Sequence, residues 1–173
     1  NWFEEISRRG TAPGQFISAT AIAFDANDRL FMADEALHRI TIFDADHNYE
    51  SHWGTEGSGE GEFDGPSGIA FDRDGNLLVV DDKNQRIQRY TPDGKYLNSF
   101  GSAGDGDGEF SFPWGVTVAP DGDIYVADWR NDRIQRFTHE GKFIDACGTT
   151  GDGEGQFNRP ANDAVDGDGN IFV

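Results

Sequence analysis

The residues best suited to chemistry in this sequence are carboxylates set among glycines. The stretch "GDGDGEF", Gly104–Phe110, carries Asp105, Asp107 and Glu109, and "DGDGN", Asp166–Asn170, repeats the pattern. Alternating oxygen ligands in a tight loop are what calcium requires, but an EF-hand loop needs Gly at its sixth position, where Phe110 and Ile171 stand. The tandem Gly-Gly-x-Gly-x-Asp pattern of calcium-binding β-helices is also absent. Calcium or zinc therefore has only Asp105, Asp107 and Asp163 as candidate ligands, and no cofactor is evident. Four histidines, His38, His47, His52 and His139, are too scattered for a three-His zinc site. The sequence holds no nucleophile elbow, phosphate loop or Cys-x-x-Cys.

The elements that position these residues follow from a repeat. Phe16, Phe63, Phe110 and Phe157 are 47 residues apart, each closing a Gly-Gln-Phe or Gly-Glu-Phe triplet. Asp34, Asp81 and Asp128 keep the same interval, as do Arg39, Arg86 and Arg133, and Pro66, Pro113 and Pro160. Within one repeat, "SGIAFD", "NLLVVD", "RIQRYT" and "KYLNSFG" read as strands separated by "RDG", "DKNQ" and "PDG" turns. The first two strands are apolar throughout, as expected when sheets cover both faces, and the last is mixed, as at an outer rim. An antiparallel four-stranded unit at this spacing predicts an all-β fold, a β-propeller. Helical repeats would need a 3.6-residue period and would not accept a turn every ten residues or so.

"DDKNQRI", Asp81–Ile87, and "ADWRNDRI", Ala127–Ile134, resemble the Asp-x-x-Asn-x-Arg-Ile signature of NHL repeats. "GEFDGPSGIAFDRDGNLLVVD" and "GEFSFPWGVTVAPDGDIYVAD" are similar to the opening and middle of the same repeat. The resemblance spans the chain and implies a propeller that is usually six-bladed. It implies protein or RNA binding and, in one branch of the family, a metal-dependent amidating lyase. Departures are local. Leu37 replaces the Asn of Asn84 and Asn131, Asn162 replaces Gly68 and Gly115, and Asp163 replaces Ile69 and Val116.

The repeat divides the chain into blades at 14–54, 61–101 and 108–148, a partial blade at 155–173, and an outer strand of a preceding blade at 1–7. This amounts to about 3.7 blades, an incomplete ring, where six blades would need about 282 residues. A larger propeller is expected, of which this is part, and the absence of an initial Met suggests removal of an upstream segment. Uncovered sheet edges are expected to promote association.

Comparison among repeats sorts the candidates. The glycines and Phe of the acidic loops persist while the acids shift, so the loops read as punctuation between blades, with Phe plugging the interface. The Asp/Arg pairs recur in every blade and read as scaffold. The loop face, formed by the turns entering the inner strand and those joining strands two and three, carries Trp114, Trp129, Asp82 and Arg130 as candidate ligand contacts. Trp129 is expected to be exposed because Glu35 and Asp82 occupy its equivalents. Asn162 and Asp163 break the local rule and are candidates for a channel-mouth or metal site. Cys147 aligns with Phe100 and Trp53 and is expected to be buried.

Fourteen Lys and Arg against 32 Asp and Glu give a net charge of −18. That disfavours nucleic acid, whose binding rests on phosphate neutralisation. No apolar run approaches a membrane span. With one cysteine no intrachain disulfide forms, and an extracytoplasmic or secreted location is mildly favoured. The expected function is a non-enzymatic binding scaffold for a protein, peptide or glycan. The alternative is a metal-dependent lyase or hydrolase with a central-channel site completed by further blades.

Overall fold

A computed structural model describes residues 7–173. The expected outer strand at 1–7 lies, save for Ser7, outside the described residues. Three antiparallel four-stranded sheets follow one another along the chain. The first comprises β1 (Ala19–Phe24), β2 (Leu30–Asp34), β3 (Arg39–Phe43) and β4 (Tyr49–Trp53), and the second β5 (Pro66–Phe71), β6 (Leu77–Asp81), β7 (Arg86–Tyr90) and β8 (Tyr96–Phe100). Next come β9 (Ser102–Ala103), β10 (Glu109–Phe110), β11 (Pro113–Val118), β12 (Ile124–Asp128), β13 (Arg133–Phe137) and β14 (Phe143–Cys147). The third sheet is β11–β14. The chain continues through β15 (Thr149–Thr150), β16 (Gln156–Phe157), β17 (Ala164–Val165) and β18 (Ile171–Phe172), the last two forming a two-stranded sheet. Within each sheet the strands are ordered as in the chain, which is the meander of a propeller blade.

The blades pack through apolar faces. Phe31, Ile40, Ile42 and Ala33 of the first sheet meet Ile69, Leu77 and Val79 of the second around Phe63, and Leu78, Val80 and Ile87 meet Val116, Ile124 and Val126 around Phe110. The central strands β2, β6 and β12 are buried, β6 between a sheet on each face, while β4 and β8 are largely exposed. The inner strand of the first blade departs from the expected two-sided burial. Ile22 is 59% exposed and Phe24 55%, because no described sheet covers that side.

The acidic loops join the blades. In each, the Gly at the loop start donates its N–H to the carbonyl of the Phe that ends it: Gly57 to Phe63 and Gly104 to Phe110 at 2.9 Å, Gly151 to Phe157 at 3.0 Å. The rings of Phe63 and Phe110 are fully buried, whereas Phe16 and Phe157, at the ends of the array, are half-buried. Gly101 shows why Gly recurs at this point. Its φ is +92°, and a Cβ there would lie 2.3 Å from the Phe110 ring.

Cys147 is exposed, contrary to expectation. Its equivalents Trp53 and Phe100 pack against Tyr90 and Phe137 on the third strand of the next blade. The fourth sheet has two described strands, so no third strand lies over Cys147.

Candidate functional site

The repeated Asp, Asn, Arg and Gln residues build the frame beneath the loops. Asp128 is fully buried, and its carboxylate accepts from Arg133 Nε at 2.9 Å, Asn131 Nδ2 at 2.8 Å, Gln135 Nε2 at 3.0 Å and the Ser111 N–H at 2.7 Å. Asp81 does the same with Arg86, Asn84, Gln88 and the Asp64 N–H. Such charge-assisted bonds offset part of the cost of burying the carboxylate, although at Asp81 the desolvation outweighs them and raises the carboxyl. The other donors of these side chains reach into the acidic loop. Arg133 Nη2 donates to the carbonyls of Gly106 and Glu109 at 2.8 and 2.9 Å, and Asn131 to that of Gly104 at 2.9 Å.

The first blade departs from this frame. Leu37 and Thr41 stand where Asn84 and Gln88 stand, and Arg39 donates to the Ala12 and Gln15 carbonyls while its Nε finds no partner. Asp34 instead accepts from the backbone N–H groups of Ile17, Ser18, Ala36 and Leu37.

This frame defines the "GDGDGEF" loop. Its carbonyls face a guanidinium, and Glu109 folds back to accept the Gly106 N–H at 3.0 Å. Asp105 and Asp107 remain exposed at the rim. A cation held by the loop would share its carbonyls with Arg133. Among the described residues no three His, Cys, Asp or Glu side chains converge in a metal-binding arrangement.

The predicted ligand contacts separate into three places. Trp114 and Asn162 stand at the axial mouth with Thr20, Gly68 and Gly115, beside an open axial groove of about 470 Å³ walled by β1, β5 and β11. Thr20 Oγ1 donates to the Ser67 carbonyl at 3.0 Å and Ser67 Oγ to that of Trp114 at 2.9 Å, a ladder that ties the inner strands of successive blades. Asp163 borders the same groove, yet it is only 7% exposed and neither carboxylate oxygen has a hydrogen-bond partner. Burial alone pushes its carboxyl up to about 7.

Asp82 lies elsewhere, beneath the loop between β6 and β7. It is 3% exposed, against the exposure expected of this position. The chain seats it over Gly65, whose Cβ, were there one, would lie 2.1 Å from Asp82 Oδ1. Burial pushes its carboxyl up to about 7; the Lys83 charge opposes the shift, and Glu35 and Asp81 add to it. Lys83 spans the surface above, 3.3 Å from Glu35 of the preceding blade and 3.6 Å from Asp64.

Trp129 and Arg130 form the third place. They sit in a single 3₁₀ turn, Trp129–Asn131, that caps the third blade on the loop face. Trp129 is half-buried and Arg130 exposed. Two residues that sequence reasoning missed complete the cluster. The Arg130 guanidinium carbon lies 4.0 Å from the Phe112 ring centroid and 5.6 Å from that of Trp129, and the Arg159 guanidinium carbon lies 4.9 Å from the Trp129 centroid. Phe112 and Arg159 occupy the position of Gly65, and both keep a glycine-like φ, +52° and +58°. Each is held by the previous blade: the Phe112 N–H donates to Gln85 Oε1 at 3.2 Å, the Arg159 N–H to Asp132 Oδ1 at 2.7 Å. Gln85 and Asp132 are themselves left-handed, at +58° and +53°. Two left-handed non-glycine residues thus meet at each of the two junctions flanking the third blade, each costing about 1–2 kcal/mol. A signal existed in the sequence only faintly: the 47-residue equivalents of Phe112 and Arg159 are Ser18 and Gly65, so the position varies in every repeat.

Residues 110–137 match the NHL repeat, and residues 20–99 match the family described as a 6-bladed beta-propeller. With the meander sheets, this makes the chain a β-propeller chain carrying an NHL repeat. A comparison with curated proteins found no match. Among solved structures, the chain is similar to virginiamycin B lyase from Staphylococcus aureus, with a TM-score of 0.66 and 17% identity over 89% of this chain and 47% of that one. It is similar to a protein of unknown function from Bacteroides thetaiotaomicron, with a TM-score of 0.71 and 23% identity over 88% and 43%. Hydrazine synthase from Kuenenia stuttgartiensis gives a TM-score of 0.66 and 17% identity over 92% and 44%. The chain spans less than half the length of these structures, and at such identities the likeness is one of fold.

Proposed function

We propose that this chain forms part of a non-enzymatic binding scaffold that recognises a protein or peptide through its loop face. The observation that carries the reading is the contrast between frame and surface. Asp81 and Asp128 hold matching networks, while the residues mounted above them differ from blade to blade: Lys83 with Glu35 and Asp64 at one junction, Phe112, Arg130, Trp129 and Arg159 across the next two. A constant frame that displays variable aromatic and charged side chains is a recognition surface. The test is affinity capture by the longer protein that contains this chain, compared with its Trp129→Ala variant. Partners lost with Trp129→Ala but kept with His52→Ala, on outer strand β4, support the reading. Identical partners for both variants contradict it.

A second reading rests on one observation, the buried and unpartnered Asp163 beside the axial groove. In a complete ring this carboxyl would contribute to a central lyase or hydrolase site. Bound divalent metal in the longer protein, lost with Asp163→Asn, would favour that reading over the scaffold.

A further inference from the structure

The chain has more than two acids for every base, and several of its arginines are held by carboxylates. Arg29 pairs with Asp25, Arg86 with Asp81, Arg89 with Asp72, Arg133 with Asp128 and Arg136 with Asp123. Other Lys and Arg residues also lack such a pair, but Arg130 and Arg159 stand out by stacking around a shared Trp129 ring. Among the described residues neither guanidinium forms an ion pair, and their side-chain contacts are the rings of Phe112 and Trp129. Asp132 remains charged and interacts with Arg159 through space, but its oxygens are taken by the Arg159 N–H on Oδ1 and the Thr150 hydroxyl on Oδ2 at 2.7 Å, and neither guanidinium hydrogen-bonds to it. A guanidinium that stacks on a ring keeps its N–H edge free for a planar anion and is held in one orientation while it waits. The rings are themselves anchored, since Phe112 is fixed at a left-handed φ by Gln85 and Trp129 by the 3₁₀ turn.

We propose that the Arg130–Arg159 patch is a carboxylate-binding subsite for an extended peptide segment of a partner protein. The inference rests on the scaffold reading above. Charge complementarity sets the segment's composition. The glycine loop that Asn131 and Arg133 bind at this end of the sheets carries exposed Asp105 and Asp107 before the third blade, and the matching loop after it carries exposed Asp152 and Glu154. A segment with one acidic residue flanked by basic residues matches this pattern, carboxylate on the guanidinium pair and cations on the rim. A nucleic acid presents a negative charge at every residue and meets that rim unfavourably. The patch lies on the surface, outside the axial groove and the other main clefts, which suits a peptide better than a small molecule.

The experiment titrates the longer protein that contains this chain with two synthetic peptides, Lys-Lys-Gly-Asp-Gly-Lys-Lys and the same sequence with Asn for Asp, followed by calorimetry at low and moderate salt. The Asp peptide should bind at least about fivefold more tightly. Arg130→Gln with Arg159→Gln should erase that preference without changing the affinity for the Asn peptide by more than about twofold. Arg73→Gln, in a turn at the opposite end of the sheets, should leave it intact. Circular dichroism and thermal melts check that each variant folds, and the single Arg130→Gln change, on an exposed side chain, serves if the double variant does not. Equal binding of the two peptides, or a preference that survives the double variant, overturns the proposal. So does tighter binding of a twelve-residue oligouridylate than of the Asp peptide. Partner loss with Trp129→Ala alongside equal peptide binding would leave the scaffold reading standing and remove only the carboxylate assignment.

Discussion

Asp82 and Asp163 are buried acids with carboxyls pushed up to about 7 from an ordinary 3.8. A pKa raised by folding means that the folded state holds the proton more tightly than the unfolded chain. The stability associated with the neutral form is complete below about pH 4 and is lost as pH rises through about 7. Wild-type stability, measured by urea unfolding, should therefore fall between these limits. Asp163→Asn and Asp82→Asn should each flatten that decline by a few kcal/mol at most. An unchanged pH profile in both variants would mean that these carboxyls gain partners or water in solution.

The unit that matters at the scale of elements is the junction between consecutive blades. Its strength is the set of side chains that run from the third strand of one blade into the loop before it. Asn131 donates both to Asp128 and to the Gly104 carbonyl, and its loss should cost about 1–2 kcal/mol because a buried carboxylate gives up a donor. The first blade offers the converse. Leu37→Asn would supply the donor that Asp34 lacks at this position and should raise stability by about 0.5–1 kcal/mol in chemical unfolding. A destabilised Leu37→Asn would show that the first junction relies on the apolar contact of Leu37 instead. The strand pattern, turns and junction spacing of these elements were all legible in the 47-residue period. The donor sets were legible only in part: recurrence marked Asp and Arg as scaffold but did not reveal Gln88 and Gln135 as members. Their amides work through tertiary contact with loop carbonyls 26 residues away.

Across the whole molecule, apolar surface is concentrated where no described sheet covers a blade: Ile22 and Phe24 on β1, and Phe172 and Val173 at the far end. We propose that the chain self-associates through these ends, opposed by its net charge of −18. Added salt screens that repulsion and leaves hydrophobic contact intact. Light scattering should report a mean mass that rises with protein concentration, and rises further between low salt and several tenths molar. Ile22→Ser with Phe24→Ser should return it towards the monomer. A strictly monomeric chain under all these conditions would refute the association.

The sequence by itself determined the blades, because a repeat that alternates apolar strands with turn residues admits one packing, sheet on sheet, at a constant interval. It also identified the "GDGDGEF" loop as a join between blades, since the glycines and Phe110 persist while the acids vary. Only the tertiary structure decided which candidates meet. Trp114 and Asn162 went to the axis and Asp82 beneath a loop. Trp129 and Arg130 joined Phe112 and Arg159 on the face, because cross-blade hydrogen bonds from Gln85 and Asp132 hold side chains at a backbone angle where glycine would be expected. Those contacts link residues 27 positions apart through the packing of neighbouring sheets, and no local pattern encodes them.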